Sequence, residues 1–244
     1  MTRPVLFIGG MDSSGGAGLL RDCATAQDFG IAARVAVTAV TAQTDHAVDC
    51  VQMVAPETLG AQIVAAGRVS AAKIGMLGTA VHVAQVARHL PDAPLVLDPV
   101  LVSSSGHVLL EPDGVALLLD RVVPRAQVIT PNLPELRALG GTLGMGADLS
   151  VAGLASALLA RGCGAVLVKG GHDDGTFCED WLYTPKAAPL CFRARRLSGS
   201  LRGTGCQLAS AIAVGLAGGQ DLCAAIEAAR LAVLARFQAQ ALPA

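Results

Sequence analysis

The sequence predicts one α/β domain built on a mostly parallel sheet with helices on both faces. Short apolar runs alternate with longer helical patterns from one end of the chain to the other. No long linker, internal repeat or low-complexity stretch interrupts that alternation, so residues 1–244 read as a single domain. Apolar residues make up 52% of the chain and charged ones only 15%, so much of it has to be buried. Aromatics are scarce, and alanine, valine and leucine are left to do the packing.

Composition also removes several classes of function. The formal net charge is −1 with no basic block, which favours neither nucleic acid nor an anionic membrane as partner. The seven cysteines are scattered, odd in number and never spaced as CxxC. They read as reduced thiols of a cytoplasmic protein, most of them small core residues. No signal peptide is evident at the start. The uncharged stretch 203–220 approaches the length of a membrane span, but Thr204, Gln207, Ser210 and its glycines argue for a buried helix in a soluble protein.

Residues 5–8 (Val-Leu-Phe-Ile) form a buried strand that meets the glycine-rich loop 10–18, and a helix follows to about Phe29, stopped by Gly30. The loop fits neither G-x-G-x-x-G nor G-x-x-x-x-G-K, yet Gly16 permits close ligand approach and Asp12 offers an acceptor. Valine-rich residues 32–40 are a second strand delivering Gln43, whose amide both donates and accepts. It suits a heteroaromatic ring edge, or is a surface loop amide. Residues 48–54 read as a strand, 56–67 as a helix, 72–77 as a strand breaking at Gly75, and 81–90 as a helix. Strand 95–97 delivers Asp98, a helix lies around 115–122, and strand 128–129 runs into the loop Thr130-Pro131-Asn132-Leu133-Pro134-Glu135. Helix 151–161 and strand 165–168 lead to Lys169, and 177–183 with 190–197 form an antiparallel hairpin. Helices over 203–216 and 222–240 close the chain.

Gln43, Met76, Asp98, Asn132, Glu135 and Lys169 therefore all fall at or just after strand ends, where open α/β sheets bind ligands. Asp98, Asn132 and Glu135 are hard oxygen donors suited to Mg²⁺ on a nucleotide phosphate. Asp98 has the alternative of capping the next turn, and Lys169 that of snorkelling out of the sheet. The turn Gly203-Thr204-Gly205-Cys206 opens the long apolar run. Its N–H groups have no partner inside the helix, and the macrodipole adds about half a positive charge there, so it suits an anion. Cys206 at the same helix start, beside Arg202, is expected to have a lowered pKa, or is an inert core thiol. The five histidines lack metal spacing; His82 and His89 read as surface residues of a helix, and His46 and His172 as loop residues near the rim. No G-x-S-x-G elbow is present, which disfavours a serine hydrolase.

Taken in order, these segments resemble the hydroxymethylpyrimidine/phosphomethylpyrimidine kinases of thiamine biosynthesis, in the ribokinase-like superfamily. Residues 10–18 are similar to the family's G-S-D-P-S-G-G-A-G and residues 41–44 to T-A-Q-N. Residues 73–77 match K-I-G-M-L, 98–100 D-P-V, 130–135 T-P-N-L-P-E, 168–172 V-K-G-G-H and 203–206 G-T-G-C. The resemblance covers roughly residues 5–235 and implies a three-layer ribokinase-like fold, a homodimer, and ATP-dependent phosphorylation of a small pyrimidine and of its monophosphate. It implies that Gln43 and Met76 meet the ring and that Asp12 and Gly16 line the substrate side. Asp98, Asn132, Glu135 and Lys169 would bind Mg-ATP, with Asp98 and Glu135 on the metal. Gly203, Thr204 and Gly205 would form the anion hole and Cys206 would accept the proton. Pyridoxal kinases share the anion turn and ATP site, and a non-catalytic binding paralogue would keep the rim without turnover. The chain departs from the pattern at Ser104, where the family has lysine, at Arg202, where it has histidine, and at Thr44-Asp45 after the glutamine.

Overall fold

A computed structural model describes residues 3–44, 46–103, 106–146, 148–170, 175–197 and 199–241. Asp45, Ser104, Gly171, His172 and Ser198 lie outside the described residues. The strands are β1 (Val5–Asp12), β2 (Ala33–Gln43), β3 (Val48–Met53), β4 (Ala71–Ile74), β5 (Leu95–Leu97), β6 (Val128–Ile129), β7 (Val166–Val168), β8 (Phe177–Tyr183) and β9 (Leu190–Arg195). The helices are α1 (Gly18–Asp28), α2 (Pro56–Ala65), α3 (Ala80–His89), α4 (Pro112–Arg121), α5 (Leu133–Thr142), α6 (Val151–Leu159), α7 (Thr204–Ala217) and α8 (Leu222–Ala241).

These strands make one sheet in the order β3-β2-β1-β4-β5-β6-β7-β8-β9. The span from β2 to β7 is parallel throughout, and β3, β8 and β9 are added antiparallel at the two edges. The central strands are buried on both faces, as a sheet covered on both sides requires, and are apolar apart from Lys73 in β4 and Asp12 at the end of β1. One core, built from Leu6, Ile8, Ile74 and Leu97, packs against α2 to α6; the other, from Val5, Phe7, Val96 and Leu167, packs against α1, α7 and α8. The three-layer α/β arrangement read from the sequence is the one observed.

The chain leaves β1 for β2 on one side and returns to β4 on the other. The crevice between the β1 and β4 ends is thus a switch point, where connections diverge and leave room for a ligand. α7 runs across this face. Its residues Gln207 to Leu216 are all buried, as expected for a helix apolar all round and covered by sheet, α1 and α8.

Four sequence expectations need correction. β1 continues through Gly9 and Gly10 to Asp12, so the loop begins only at Ser13. The segment after Asn132 is not a loop but α5. Asn132 and Glu135 form its capping box, each side chain bonded to the other's backbone N–H at 2.8 Å. His82 is buried, with Nδ1 2.7 Å from the Thr79 hydroxyl and Nε2 2.7 Å from the Val54 carbonyl, so it is an internal tie and no surface residue. Of the cysteines only Cys163 is fully buried, while Cys50 and Cys223 are exposed.

Candidate active site

The first wall of the site is the turn after β1. Asp12 is buried and organises it: Oδ1 accepts from the Ser14 N–H (2.9 Å) and hydroxyl (2.8 Å), and Oδ2 from the Ala17 N–H (2.9 Å). Arg202 closes the same turn from above, donating to Asp12 Oδ2 (3.2 Å), Ser14 Oγ (3.0 Å) and the Thr44 carbonyl (2.8 Å). Both oxygens of Asp12 are thus occupied by protein, and its part is to shape the turn. Gln43 ends β2 beside it, exchanging backbone hydrogen bonds with the Ser13 hydroxyl (3.0 and 3.2 Å). The Thr41 hydroxyl lies 3.4 Å from Gln43 Oε1, while Nε2 makes no hydrogen bond among the described residues. Met76 lies over Gly10 at the mouth of the β1/β4 crevice; a Cβ on Gly10 would stand 2.9 Å from its sulfur.

The second wall is charged. Lys169 Nζ is 2.8 Å from Asp98 Oδ1 and 3.7 Å from Glu135 Oε2. Thr130 donates to the same Asp98 oxygen at 3.2 Å. The lysine therefore does not snorkel to solvent, and Asp98 does not cap the following turn. Burial alone would raise the Asp98 carboxyl, but the ammonium groups of Lys169 and Lys73 reverse this and hold it below the usual carboxylate range. Burial also acts against the Lys169 charge, and Asp98 with Glu135 overcomes it, so Lys169 stays protonated. Burial raises Glu135, with Lys169 opposing.

The start of α7 joins the two walls. Gly203 is its N-cap at φ +71°, and a Cβ there would lie 2.1 Å from the Gly16 carbonyl oxygen. Only glycine fits this approach. A Cβ on Gly205 would lie 3.3 Å from Lys169 Nζ and 4.0 Å from Asp98 Oδ2. The N–H groups of Thr204, Gly205 and Cys206 have no acceptor among the described residues. Gly203→Ala is expected to cost about 1–3 kcal/mol in stability and most of the activity, because the backbone can no longer seat against Gly16. Thermal melts with turnover on the same sample check this; wild-type turnover would show that the turn has slack.

The expected lowering of the Cys206 pKa is not what the structure gives. Burial pushes the half-buried Cys206 thiol up, and Lys73, not Arg202, is the cation that opposes this most strongly. Arg202 is turned toward Asp12 instead.

Sequence reasoning missed a cavity of about 980 Å³ between the β8/β9 hairpin and α8. It is floored by Asn132, Lys169, Gly170, Thr204 and Gly205, walled by Phe192, Leu208, Leu234 and Phe237, and edged by Arg193, Arg195, Arg196 and Arg230. Asp180 braces it, accepting from the Gly170 N–H at 2.7 Å and pairing with Arg230.

Comparison with known proteins bears on this arrangement. The family model described as phosphomethylpyrimidine kinase matches residues 12–242. A hydroxymethylpyrimidine/phosphomethylpyrimidine kinase of Rhizobium meliloti (strain 1021) is 38% identical over 235 residues, 94% of this chain and 88% of the relative. The chain belongs to the phosphomethylpyrimidine kinase family. The crystal structure of phosphomethylpyrimidine kinase from Clostridium difficile 630 superposes with a TM-score of 0.79 at 31% identity, over 96% of this chain and 99% of that one. Pyridoxal kinase from Staphylococcus aureus in complex with AMP-PCP and pyridoxal gives 0.83 at 27%, over 94% and 86%. The fold is ribokinase-like, and this phosphomethylpyrimidine kinase family member is a phosphotransferase.

Proposed function

We propose that the chain transfers the γ-phosphoryl group of ATP to the hydroxymethyl oxygen of 4-amino-5-hydroxymethyl-2-methylpyrimidine, and then phosphorylates the monophosphate, in thiamine biosynthesis. The observation that carries this reading is the start of α7. Its open N–H groups have the Lys169–Asp98 pair on one side and the turn after β1, with Gln43 beside it, on the other. A phosphoryl group in flight between two substrates needs such a seat. ATP occupies the cavity under the β8/β9 hairpin, its phosphates running toward Lys169 and Gly205. The pyrimidine sits in the β1/β4 crevice, Met76 against the ring and Gln43 on its polar edge.

The donor set also suits Mg²⁺: two carboxylates, with Asp98 Oδ2 making no hydrogen bond among the described residues. Asp98 and Glu135 would hold it, with waters and phosphate oxygens as the other ligands. Bound there, Mg²⁺ would neutralise phosphate charge. Asn132 acts through its cap, which fixes Glu135. Lys169 meets the phosphates, the N–H groups of Thr204, Gly205 and Cys206 face the equatorial oxygens, and Cys206 accepts the hydroxyl proton as the oxygen attacks in line. We read residues 1–244 as one kinase domain acting in the cytoplasm as a homodimer. The single sheet supports one domain and the seven unpaired thiols support the cytoplasm, while the homodimer follows from the family resemblance.

Supplying the pyrimidine monophosphate with Mg-ATP tests the second step. Pyrophosphate product by mass spectrometry is expected, and its absence would limit the chain to the first. Gln43→Ala should weaken pyrimidine binding by roughly 1–3 kcal/mol through loss of a paired ring-edge contact. Calorimetric titration checks it: ATP affinity should hold, and equal losses for both ligands would remove the ring-edge role.

A further inference from the structure

The chain buries a complete ion pair that the reaction as described does not use. Lys73 and Asp22 are 1% and 0% exposed. Lys73 Nζ lies 3.0 Å from Asp22 Oδ1 and 2.9 Å from Oδ2, and the buried Ser210 hydroxyl donates to Oδ1 at 2.6 Å. The three residues come from β4, α1 and α7. In the sheet Lys73 pairs with Phe7 on one side and Val96 on the other, both part of the apolar core facing α7. An aliphatic side chain would suit that position, and replacing a buried ion pair by apolar groups of similar volume is often neutral or stabilising. Stability alone is therefore a poor reason for the pair.

Its location is a better one. Ser210 stands four residues after Cys206, so the two share one face of α7, the face held by Asp22. The ammonium has three N–H donors. The two Asp22 oxygens account for two, and the third has no acceptor among the described residues. Gly75 leaves the ammonium room, since a Cβ there would sit 3.0 Å from Nζ. After burial and Asp22, Cys206 is the next influence on the Lys73 charge. Around the sulfur, Asp22 from α1 and Asp98 after β5 oppose a negative charge, and the Gly18 backbone at the start of α1 favours it. Lys169 after β7 and Arg236 from α8 also feel it.

We propose that Lys73, fixed by Asp22 and Ser210, is a positioning residue for Cys206: its buried ammonium balances the sulfur as a thiolate at the head of α7. This rests on the reading of Cys206 as proton acceptor. As the substrate oxygen forms its bond to the γ-phosphorus, its proton passes to the sulfur. The bond from that phosphorus to the bridging oxygen breaks, and its electron pair leaves with ADP. The neutral thiol returns its proton to solvent once product departs.

The test is the pH dependence of Cys206 alkylation by iodoacetamide in the full chain without ligands, read by peptide mass spectrometry to separate it from exposed Cys50 and Cys223. Lys73→Met combined with Asp22→Leu removes both charges. It should slow Cys206 alkylation below its midpoint by about 3- to 10-fold, the loss of the carboxylate offsetting part of the loss of the ammonium, and lower kcat while leaving the KM for ATP in place. Asp22→Asn leaves the ammonium without its counter-charge and should move alkylation the opposite way, to faster rates. A merely structural role would loosen α7 in both variants and shift them in the same direction; that result, or no shift in either, overturns the proposal. If the double variant does not fold, Asp22→Asn decides alone: slower or unchanged alkylation refutes it. The readout needs neither ATP nor pyrimidine. Opposite shifts in a protein without kinase activity would leave the Lys73–Cys206 coupling standing and remove the proposed function. Kinase activity with unshifted alkylation would remove only the coupling.

Discussion

Cys206→Ala is expected to lower kcat by on the order of 10²–10⁴ while pyrimidine affinity stays near wild type. The sulfur heads α7, where unbonded N–H groups would hold the transferring phosphoryl and the attacking hydroxyl has to lose its proton. Alanine keeps the helix start and the N–H groups but removes the acceptor. ATP should also protect Cys206 from alkylation, because the phosphates would cover it. The remaining thiols do not form a uniform buried background, since Cys50 and Cys223 are exposed, so protection must be scored at Cys206 by peptide mass spectrometry. Wild-type kcat in Cys206→Ala would mean that the turn acts alone and the thiol is packing.

Lys169→Met should cost about 10²–10³ in kcat/KM for ATP, the scale of losing one preorganised group from a charge-stabilising site. The loss has two parts. The phosphates lose a cation, and Asp98 and Glu135, which share that ammonium at 2.8 and 3.7 Å, are left facing each other. The Asp98 carboxyl, now held below its usual range, would rise. In wild type its folded-state pKa is depressed, so the stability it contributes is present above about pH 4 and is lost as pH falls through the folded value. Lys169→Met should therefore show a flatter loss of stability in acid. Parallel steady-state kinetics and acid titrations followed by circular dichroism measure both effects. Unchanged ATP kinetics would assign the lysine to tying the end of β7 to Asp98 after β5 and to Glu135 on α5.

The sheet and the rim were legible because both follow from local pattern. Apolar runs gave the strands, and polar residues at their ends gave Gln43, Asp98, Asn132, Glu135 and Lys169. α5 was not legible: Pro131 and Pro134 hid a helix whose start was marked by Asn132 and Glu135, and residues read as ligands proved first to be a cap. Lys73 was visible as a lysine in a strand, but its burial depends on Asp22 from α1 and Ser210 from α7, which local pattern cannot place. The same holds for Arg202, whose partners lie at Asp12, Ser14 and Thr44. The sequence offered it as the cation beside Cys206 because it is near in the chain, and the fold uses Lys73 there instead. The cavity under the hairpin arises from packing between β9 and α8 and has no local signature.

The most direct test of the central reading is a competition assay. Purified protein is supplied with Mg-ATP and equal concentrations of 4-amino-5-hydroxymethyl-2-methylpyrimidine and pyridoxal, and both phosphorylated products are followed by mass spectrometry. The account predicts the pyrimidine monophosphate, formed with matching ADP release and ahead of any pyridoxal phosphate. Rapid consumption of pyridoxal with the pyrimidine untouched would contradict the substrate assignment, and ATP binding without turnover of either would contradict the kinase itself.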